Sequence, residues 1–493
     1  MPYDVDVVVL GGGAAGLTAS GTCANLGMRT LLVERHRLGG DCTWTGCVPS
    51  KALLHAAQLR AAAGAYRRFA AGDADVAEPD FAAIMESIHA VRQEIYEDAD
   101  APENLTRFGI DVVSGDARFV DAHTVEIADE SGDTRRVSFR KAILCTGGRA
   151  APPPIDGLDE TPYLTNETLF EIDRQPEHLV IVGGGPIGCE MGQAFARLGS
   201  RVTIVDRADR LLGRDDADHA RILQGVLEAD GVALALGADV EKAEATDGGV
   251  RLTLSVDGET RPLEGDRLLI ATGRTPNIET LGLEAAGVAF TAKGIGVDEA
   301  CRTNQRHIFA AGDCTGEYAL THMSEHMGKT AATNAALGFG ATIDRRGLTW
   351  TTFTSPEVAQ LGKTADELAD DGTRFVTYTF PYTKVDRAVT EHAETGQIKL
   401  HATKWTGKIL GASIVGERAG EVASVYAVAM KGGVSVKTIS DTIFAYPTYG
   451  LAARRAADQY YVQKQYPLAI EAIKRVFRYR GDTPPPPDPS RVL

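Results

Sequence analysis

Cysteine is scarce in this chain, at seven among 493 residues, and the number is odd. That argues against the disulfide-stapled scaffold of small secreted proteins, so any disulfide is expected to be catalytic or redox-sensing. Basic charge is short as well: 51 Lys and Arg stand against 67 Asp and Glu, a net charge of −16. Such a surface repels phosphate backbones and argues against nucleic acid as a partner. Long apolar runs are also missing. The stretch from Val7 to Met28 has no charge but carries Gly11, Gly12, Gly13, Gly16, Gly21 and Gly27, a density that spoils a spanning helix. Met1 to Asp6 is acidic where a signal peptide is basic, so a cytoplasmic protein is expected. What remains is ordinary: 44% apolar and 24% charged residues, long enough for about three domains at roughly 150 residues each.

The chain repeats itself at an offset of 172 residues. DVVVLGGGAAGLTASGTCANLGMRTLLVE near the N-terminus aligns without a gap on HLVIVGGGPIGCEMGQAFARLGSRVTIVD. Gly11, Gly13 and Gly16 fall on Gly183, Gly185 and Gly188, and Glu34 falls on Asp206. Each copy reads as strand, GxGxxG turn, helix and second strand ending in an acid, which is a dinucleotide-binding βαβ unit. The first glycine allows the tight turn, the second admits a pyrophosphate to a helix N-terminus, and the third lets helix pack on strand. The closing carboxylate accepts hydrogen bonds from a ribose. Asp206 favours NADH by repelling a 2′-phosphate, whereas Arg207 and Arg210 are placed to accept one. Two such sites imply a flavin and a nicotinamide exchanging electrons.

Other punctuation divides the rest. AILCTGGRAAPPP (142–154) reads as a strand leaving the first domain, and LLIATGRTPN (268–277) as the return. From residue 347 the pattern changes to an α+β block ending near Tyr466. Pro467 to Arg480 places Ile470, Ile473, Val476 and Phe477 at helical spacing among Lys474, Arg475, Arg478 and Arg480. Two readings stand for this helix, docking on a dimer or lying on an anionic membrane surface. The proline-rich tail from Gly481 is expected to be extended or disordered.

In GGDCTWTGCVPSK, Cys42 and Cys47 stand five residues apart. No second Cys or His pair lies nearby at finger-like spacing, so zinc is a weak reading. Two inert buried thiols are the other plain alternative. In a regular helix the two Cα atoms would lie about 8 to 9 Å apart, too far for a disulfide, so the segment has to bend. Gly46 supplies freedom, and Pro49 is tolerated only near a helix start, which puts the start around Cys47. Orphan amides there favour a Cys47 thiolate, and Lys51 adds a cation one turn on.

Together these features resemble the pyridine nucleotide-disulfide oxidoreductases, the flavoprotein family of lipoamide dehydrogenase, glutathione reductase and mercuric reductase, over about residues 4 to 465. ATGRTPN and HIFAAGDCTG (307–316) belong to the same resemblance. It implies an α/β fold of two Rossmann-like dinucleotide-binding domains plus a C-terminal α+β dimerisation domain. The expected segments are 1–152 and 280–346 for FAD, 153–279 for NAD(P)H, 347–466 for the interface and 467–493 for the helix and tail. Cys47 would then face the flavin as thiolate, and Cys42 would be the interchange thiol that attacks substrate. Lys51 would sit near the flavin N5, paired with Glu190. Asp313 would hold the ribityl chain, with further cofactor contacts at Gly40, Thr146, Gly147, Gly273 and Arg274. His322 would lie by the flavin pyrimidine edge, or else be a structural helix-start histidine. The resemblance also implies a homodimer in which one chain's C-terminal domain completes the other's dithiol site.

The pattern breaks near the end. Lipoamide dehydrogenase and glutathione reductase carry a C-terminal His-Pro-Thr followed by Glu, whereas TIFAYPTYGLA (442–452) has Tyr446 at the histidine position and Leu451 at the glutamate position. An imidazole shuttles protons at neutral pH, and a phenol is a poor base there. Tyr446 is then either part of the site or a packed aromatic. Phe444 and Tyr446 resemble mercuric reductase, although the last cysteine here is Cys314 and the terminal cysteine pair of that enzyme is missing. The leading expectation is a mercuric-reductase-like enzyme that passes electrons from NAD(P)H through FAD to Cys42–Cys47 and on to a small-molecule or soft metal-ion acceptor. A lipoamide-type or small-disulfide reductase, a quinone or dye reductase, and a weakened redox-sensing or binding protein are the alternatives.

Overall fold

The computed structural model describes residues 3–70, 77–338, 340–463 and 467–482. The proline-rich stretch from Thr483 and the boundary expected at Tyr466 lie outside them. The chain divides into two compact units, one of Met1–Gly184, Met191–Arg207 and Val232–Asp344, the other of Gly185–Glu190, Ala208–Gly231 and Arg345–Leu493.

In the first unit, Val5–Leu10 is the centre of a parallel sheet. It pairs with Thr30–Glu34 on one side and Thr134–Leu144 on the other, with Ile110–Ser114 and Ile308–Ala310 adding to the two flanks. A strand covered on both faces needs a continuous apolar run rather than alternation, and Val7, Val8 and Val9 are completely buried. The helix Ala14–Asn25 follows the glycine turn and packs against the helix Thr321–Leu337. Small residues set this approach: a Cβ on Gly328 would come within 2.3 Å of the Ala15 carbonyl oxygen, and one on Gly16 within 1.8 Å of that of Gly11.

A second parallel sheet in the same unit runs Val232–Leu236, Arg201–Asp206, His178–Val182, Arg267–Ile270. His178–Val182 and Arg201–Asp206 are the second copy's two strands, adjacent and parallel, matching Val5–Leu10 and Thr30–Glu34 in the first copy. A three-stranded antiparallel sheet from Ala238 to Gly265 and a short pairing of Arg274–Pro276 with Gly148–Ala150 complete the main sheets of the unit.

The second unit carries a five-stranded antiparallel sheet ordered Thr349–Thr352, Glu357–Gly362, Ile409–Gly416, Gln397–Ala402, Val376–Pro381. The helices Ala419–Lys431 and Gly450–Val462 cover it through a core that includes Tyr378, Phe380, Ile398, Ile414, Tyr426 and Tyr460. Pro467–Phe477 is helical, as its spacing predicts, yet Ile473, Val476 and Phe477 are 48%, 72% and 63% exposed on the chain.

Candidate active site

The first glycine turn has the conformation its sequence requires. Gly11 has φ of +103°, and a Cβ there would meet the Cys145 carbonyl oxygen at 2.3 Å, so no other residue fits. Gly13 has only the Cα of Gly40 within 4 Å of a Cβ position, which leaves open space at the start of the Ala14–Asn25 helix. Glu34 turns back on this loop: one carboxylate oxygen accepts from the Gly12 amide at 2.6 Å, the other from the His36 amide at 2.8 Å. A turn with open amide-lined space and a carboxylate at its edge fits the pyrophosphate and ribose of FAD.

The redox pair lies where two short-range rules meet. Gly40–Trp44 is one helical turn, the chain breaks at Thr45 and Gly46, and a new helix runs from Cys47 to Tyr66 with Pro49 in its first turn. The break, with its start at Cys47, is the bend that the spacing demanded. The reason for Gly46 differs from the expected one. Its φ of −121° is not left-handed; what it lacks is room, since a Cβ would lie 2.9 Å from the Asp41 carbonyl oxygen.

Cys42 is half-buried and Cys47 exposed, both as thiols within hydrogen-bonding reach of each other. That contact, together with burial, pushes the Cys42 thiol far above its ordinary range. Cys47 Sγ also lies 3.3 Å from the Thr321 hydroxyl. Thr321 opens the helix Thr321–Leu337, so the N-terminal ends of two long helices meet at this sulfur and favour its thiolate. Thr321 escaped the sequence reading; its only signal is its place directly before His322, which is exposed in the same first turn. Lys51 is half-buried with Nζ 3.4 Å from the Ser50 hydroxyl.

Behind the pair, Arg274 reaches three acceptors. It donates to Asp41 at 2.7 Å, to Asp313 at 3.2 Å and to the Gly148 carbonyl at 2.8 Å. Burial opposes the Arg274 charge, but the two carboxylates outweigh it and hold the guanidinium firmly protonated. For Asp313 burial is the larger effect, and its carboxyl stands above the usual range. The Thr146 hydroxyl donates to the Asn277 carbonyl at 2.7 Å, Gly147 has φ of +69°, and the Gly273 carbonyl accepts from Ala151 at 3.0 Å. AILCTGG and ATGRTPN, joined through Thr146 and Asn277 at a separation of 131 residues, are thereby stitched together beside Asp313. Asp41 was not foreseen.

In the second copy, Gly183 repeats the left-handed turn at φ +119°, and Asp206 accepts from the Gly184 amide at 2.5 Å. These two features reproduce Gly11 and Glu34. Gly185 accepts from the Cys189 amide at 2.9 Å at the start of the helix Pro186–Leu198, which also contains Gly188 and Glu190. In the second unit, Glu190 accepts from the Phe353 amide at 2.9 Å. Tyr446 is 69% exposed and so is not a packed aromatic within its own chain, while Leu451 is buried at the start of Gly450–Val462. Phe444 packs on the core of the second unit.

Comparison with known proteins decides the family. The model described as pyridine nucleotide-disulphide oxidoreductase matches residues 5–328, and that of its dimerisation domain matches residues 348–457. The chain belongs to the pyridine nucleotide-disulphide oxidoreductase family. This oxidoreductase is 35% identical over 460 residues to mercuric reductase of Streptomyces lividans, covering 92% of this chain and 96% of the relative. It is 33% identical over 468 residues to dihydrolipoyl dehydrogenase of Staphylococcus aureus, covering 93% and 97%. A Cu(II) complex of the HOCl-induced flavoprotein disulfide reductase RclA from Escherichia coli superposes with a TM-score of 0.83 at 28% identity, covering 93% of this chain and all of that one. The family depends on FAD and a pyridine nucleotide.

Proposed function

We propose that this oxidoreductase takes a hydride from NAD(P)H and delivers the electron pair through Cys42–Cys47 to a soft metal ion or a small oxidised molecule, with mercuric-reductase-like chemistry leading. The supporting observation is the pair itself: two thiols in contact where two helices begin, with the Cys42 thiol held well above its ordinary range. FAD, when bound on the Gly11–Gly16 turn, supplies the relay between hydride and disulfide. The stoichiometry is NAD(P)H plus the disulfide, giving NAD(P)⁺, the Cys42 thiol and the Cys47 thiolate.

Cys47 is the thiolate, stabilised by the amides at the start of its helix and by the Thr321 hydroxyl. Cys42 keeps its proton and is the interchange thiol. Lys51 holds positive charge at the flavin, and His322 lies at the flavin edge. The protein acts as a homodimer, with Tyr446 of one chain at the dithiol of its partner, and NADH is the favoured donor through Asp206.

Sequence likeness extends almost equally to dihydrolipoyl dehydrogenase, so what favours the metal-ion reading is Tyr446 and Leu451 in place of an oriented imidazole. The deciding experiment is steady-state oxidation of NADH and NADPH by purified protein with Hg(II)–thiol complexes, lipoamide, glutathione disulfide and a quinone. Turnover on the metal complex that disappears in Cys42→Ser and Cys47→Ser is expected. Full turnover by the double-serine variant with every acceptor would overturn the role of the pair.

A further inference from the structure

Asp41 is the unexpected charge at this site. It directly precedes Cys42, and its carboxylate is fixed on both oxygens: Oδ2 accepts from Arg274 at 2.7 Å, and Oδ1 accepts from the Asn166 amide at 3.0 Å and from the Thr45 hydroxyl. Arg274 is shared with Asp313, so two carboxylates face one guanidinium. Asp41 carries this cluster's charge to the residue next to Cys42, and the side chains of Asp41, Arg274 and Asp313 are 36%, 19% and 19% exposed.

We infer that Asp41 is a positioning residue which, balanced by its ion pair with Arg274, sets the reduction potential of the Cys42–Cys47 couple. The inference rests on the reading that this pair cycles between disulfide and dithiol. Reduction breaks the S–S bond and takes up two electrons; one sulfur binds a proton and the other remains a thiolate in its helix-terminal setting. The reduced pair is therefore more negative than the oxidised pair. A fixed carboxylate beside it disfavours the reduced state and lowers the potential, while Arg274 opposes that effect. In line with this, Asp41 is among the charges that keep the Cys42 thiol protonated.

The sign of the effect separates this role from mere scaffolding. Asp41→Asn keeps the shape and a hydrogen-bond acceptor but leaves Arg274 with one carboxylate, so the dithiol becomes easier to form. Arg274→Gln leaves two carboxylates uncompensated and moves the equilibrium the other way. The double variant has the wild-type net charge and returns close to the wild-type value, as does Arg274→Lys. Each change is expected to be about five- to tenfold in the thiol–disulfide equilibrium constant, from one charge acting over a residue's length in a partly solvated site. Tenfold corresponds to about 30 mV for a two-electron couple.

The measurement equilibrates the full-length flavin-loaded protein in dithiothreitol buffers of graded potential, traps thiols with a maleimide, and counts label on the Cys42 and Cys47 peptides by mass. Opposite shifts in the two single variants, cancelling in the double variant, support the inference. Shifts of the same sign, additive damage, or no shift in variants that keep the wild-type melting temperature overturn it. Failure of Cys42 and Cys47 to form a disulfide in any buffer would instead overturn the functional reading and this inference together.

Discussion

A Cβ at position 46 would press on main-chain atoms, 2.9 Å from the Asp41 oxygen and 3.5 Å from the Cys42 Cα, and neither belongs to a side chain that can swing away. Gly46→Ala therefore has to move the Cys42 backbone away from Cys47. An overpacking cost of about 1–3 kcal/mol is expected, together with slower closure of the disulfide, read from the rate at which the two thiols disappear under a mild oxidant. The second residue-scale prediction concerns the missing relay. Dihydrolipoamide oxidation should be lower by about a hundred- to ten-thousand-fold than in a relay-bearing relative. Tyr446→His alone should recover little, because nothing at Leu451 orients the ring. Adding Leu451→Glu should recover more, at a folding cost of about 1–3 kcal/mol because Leu451 is buried on its own chain. Brisk wild-type turnover in a coupled NAD⁺ assay would point to another base. At this scale the sequence discloses residues whose constraint is local: Gly11 and Gly183 through their turns, Cys47 and Pro49 through the helix start. It conceals Asp41 and Thr321, whose roles come from partners more than 200 residues away.

The helix Ala217–Ala229 packs on the five-stranded sheet through polar groups rather than apolar ones alone. His219 shares a hydrogen bond of 2.7 Å with the Ser413 hydroxyl, His401 one of 2.9 Å with Thr377, and Lys399 bridges Asp216 and Asp218. Burial pushes both imidazoles down to about 4, against the pull of Asp216, and their Nε2 atoms have no hydrogen-bond partner among the described residues. A histidine whose folded pKa lies below its unfolded value contributes stability that is complete above about pH 6.5 and is lost as pH falls toward 4. Asp215 has the opposite sign: burial raises it to about 6, although Trp350 donates to it at 2.9 Å, so its penalty grows as pH rises from about 4 to 6. Two histidines outweigh one aspartate, and a net loss of about 2 kcal/mol is expected between pH 7 and pH 5. Thermal unfolding at the two pH values tests this, and Asp215→Asn should raise the melting temperature at pH 7 but not at pH 4. None of this was legible beforehand. The strands of both βαβ units announce themselves by unbroken apolar runs, whereas His219, near the start of an amphipathic helix, reads as a surface residue until the sheet beneath it is known.

At the scale of the whole molecule, charge and exposed apolar surface make opposite demands. The chain carries a net charge of −16, yet residues 467–480 hold one acid, Glu471, against Lys474, Arg475, Arg478 and Arg480, so the remainder is more acidic still. Val428 and Ile443, within the matched dimerisation domain, are 74% and 95% exposed on the isolated chain, and Ile473, Val476 and Phe477 form an exposed apolar face on the helix Pro467–Phe477. Apolar surface of this kind needs a partner. An anionic membrane would accept the basic helix, but at physiological salt charges act over about 8 Å, and the acidic bulk of the protein would meet the same lipid and be repelled. A second copy of the chain offers acidic surface without that conflict, and the helix follows the dimerisation domain directly in sequence. The expected outcome is that ending the chain at Tyr466 weakens the dimer, read as a higher midpoint concentration for dissociation by sedimentation, that Val428→Glu with Ile443→Glu abolishes it, and that neither the full chain nor the truncated one cosediments with phosphatidylserine vesicles. Vesicle binding by the full chain that is lost on truncation, with dimer strength unchanged, would assign the helix to the membrane instead.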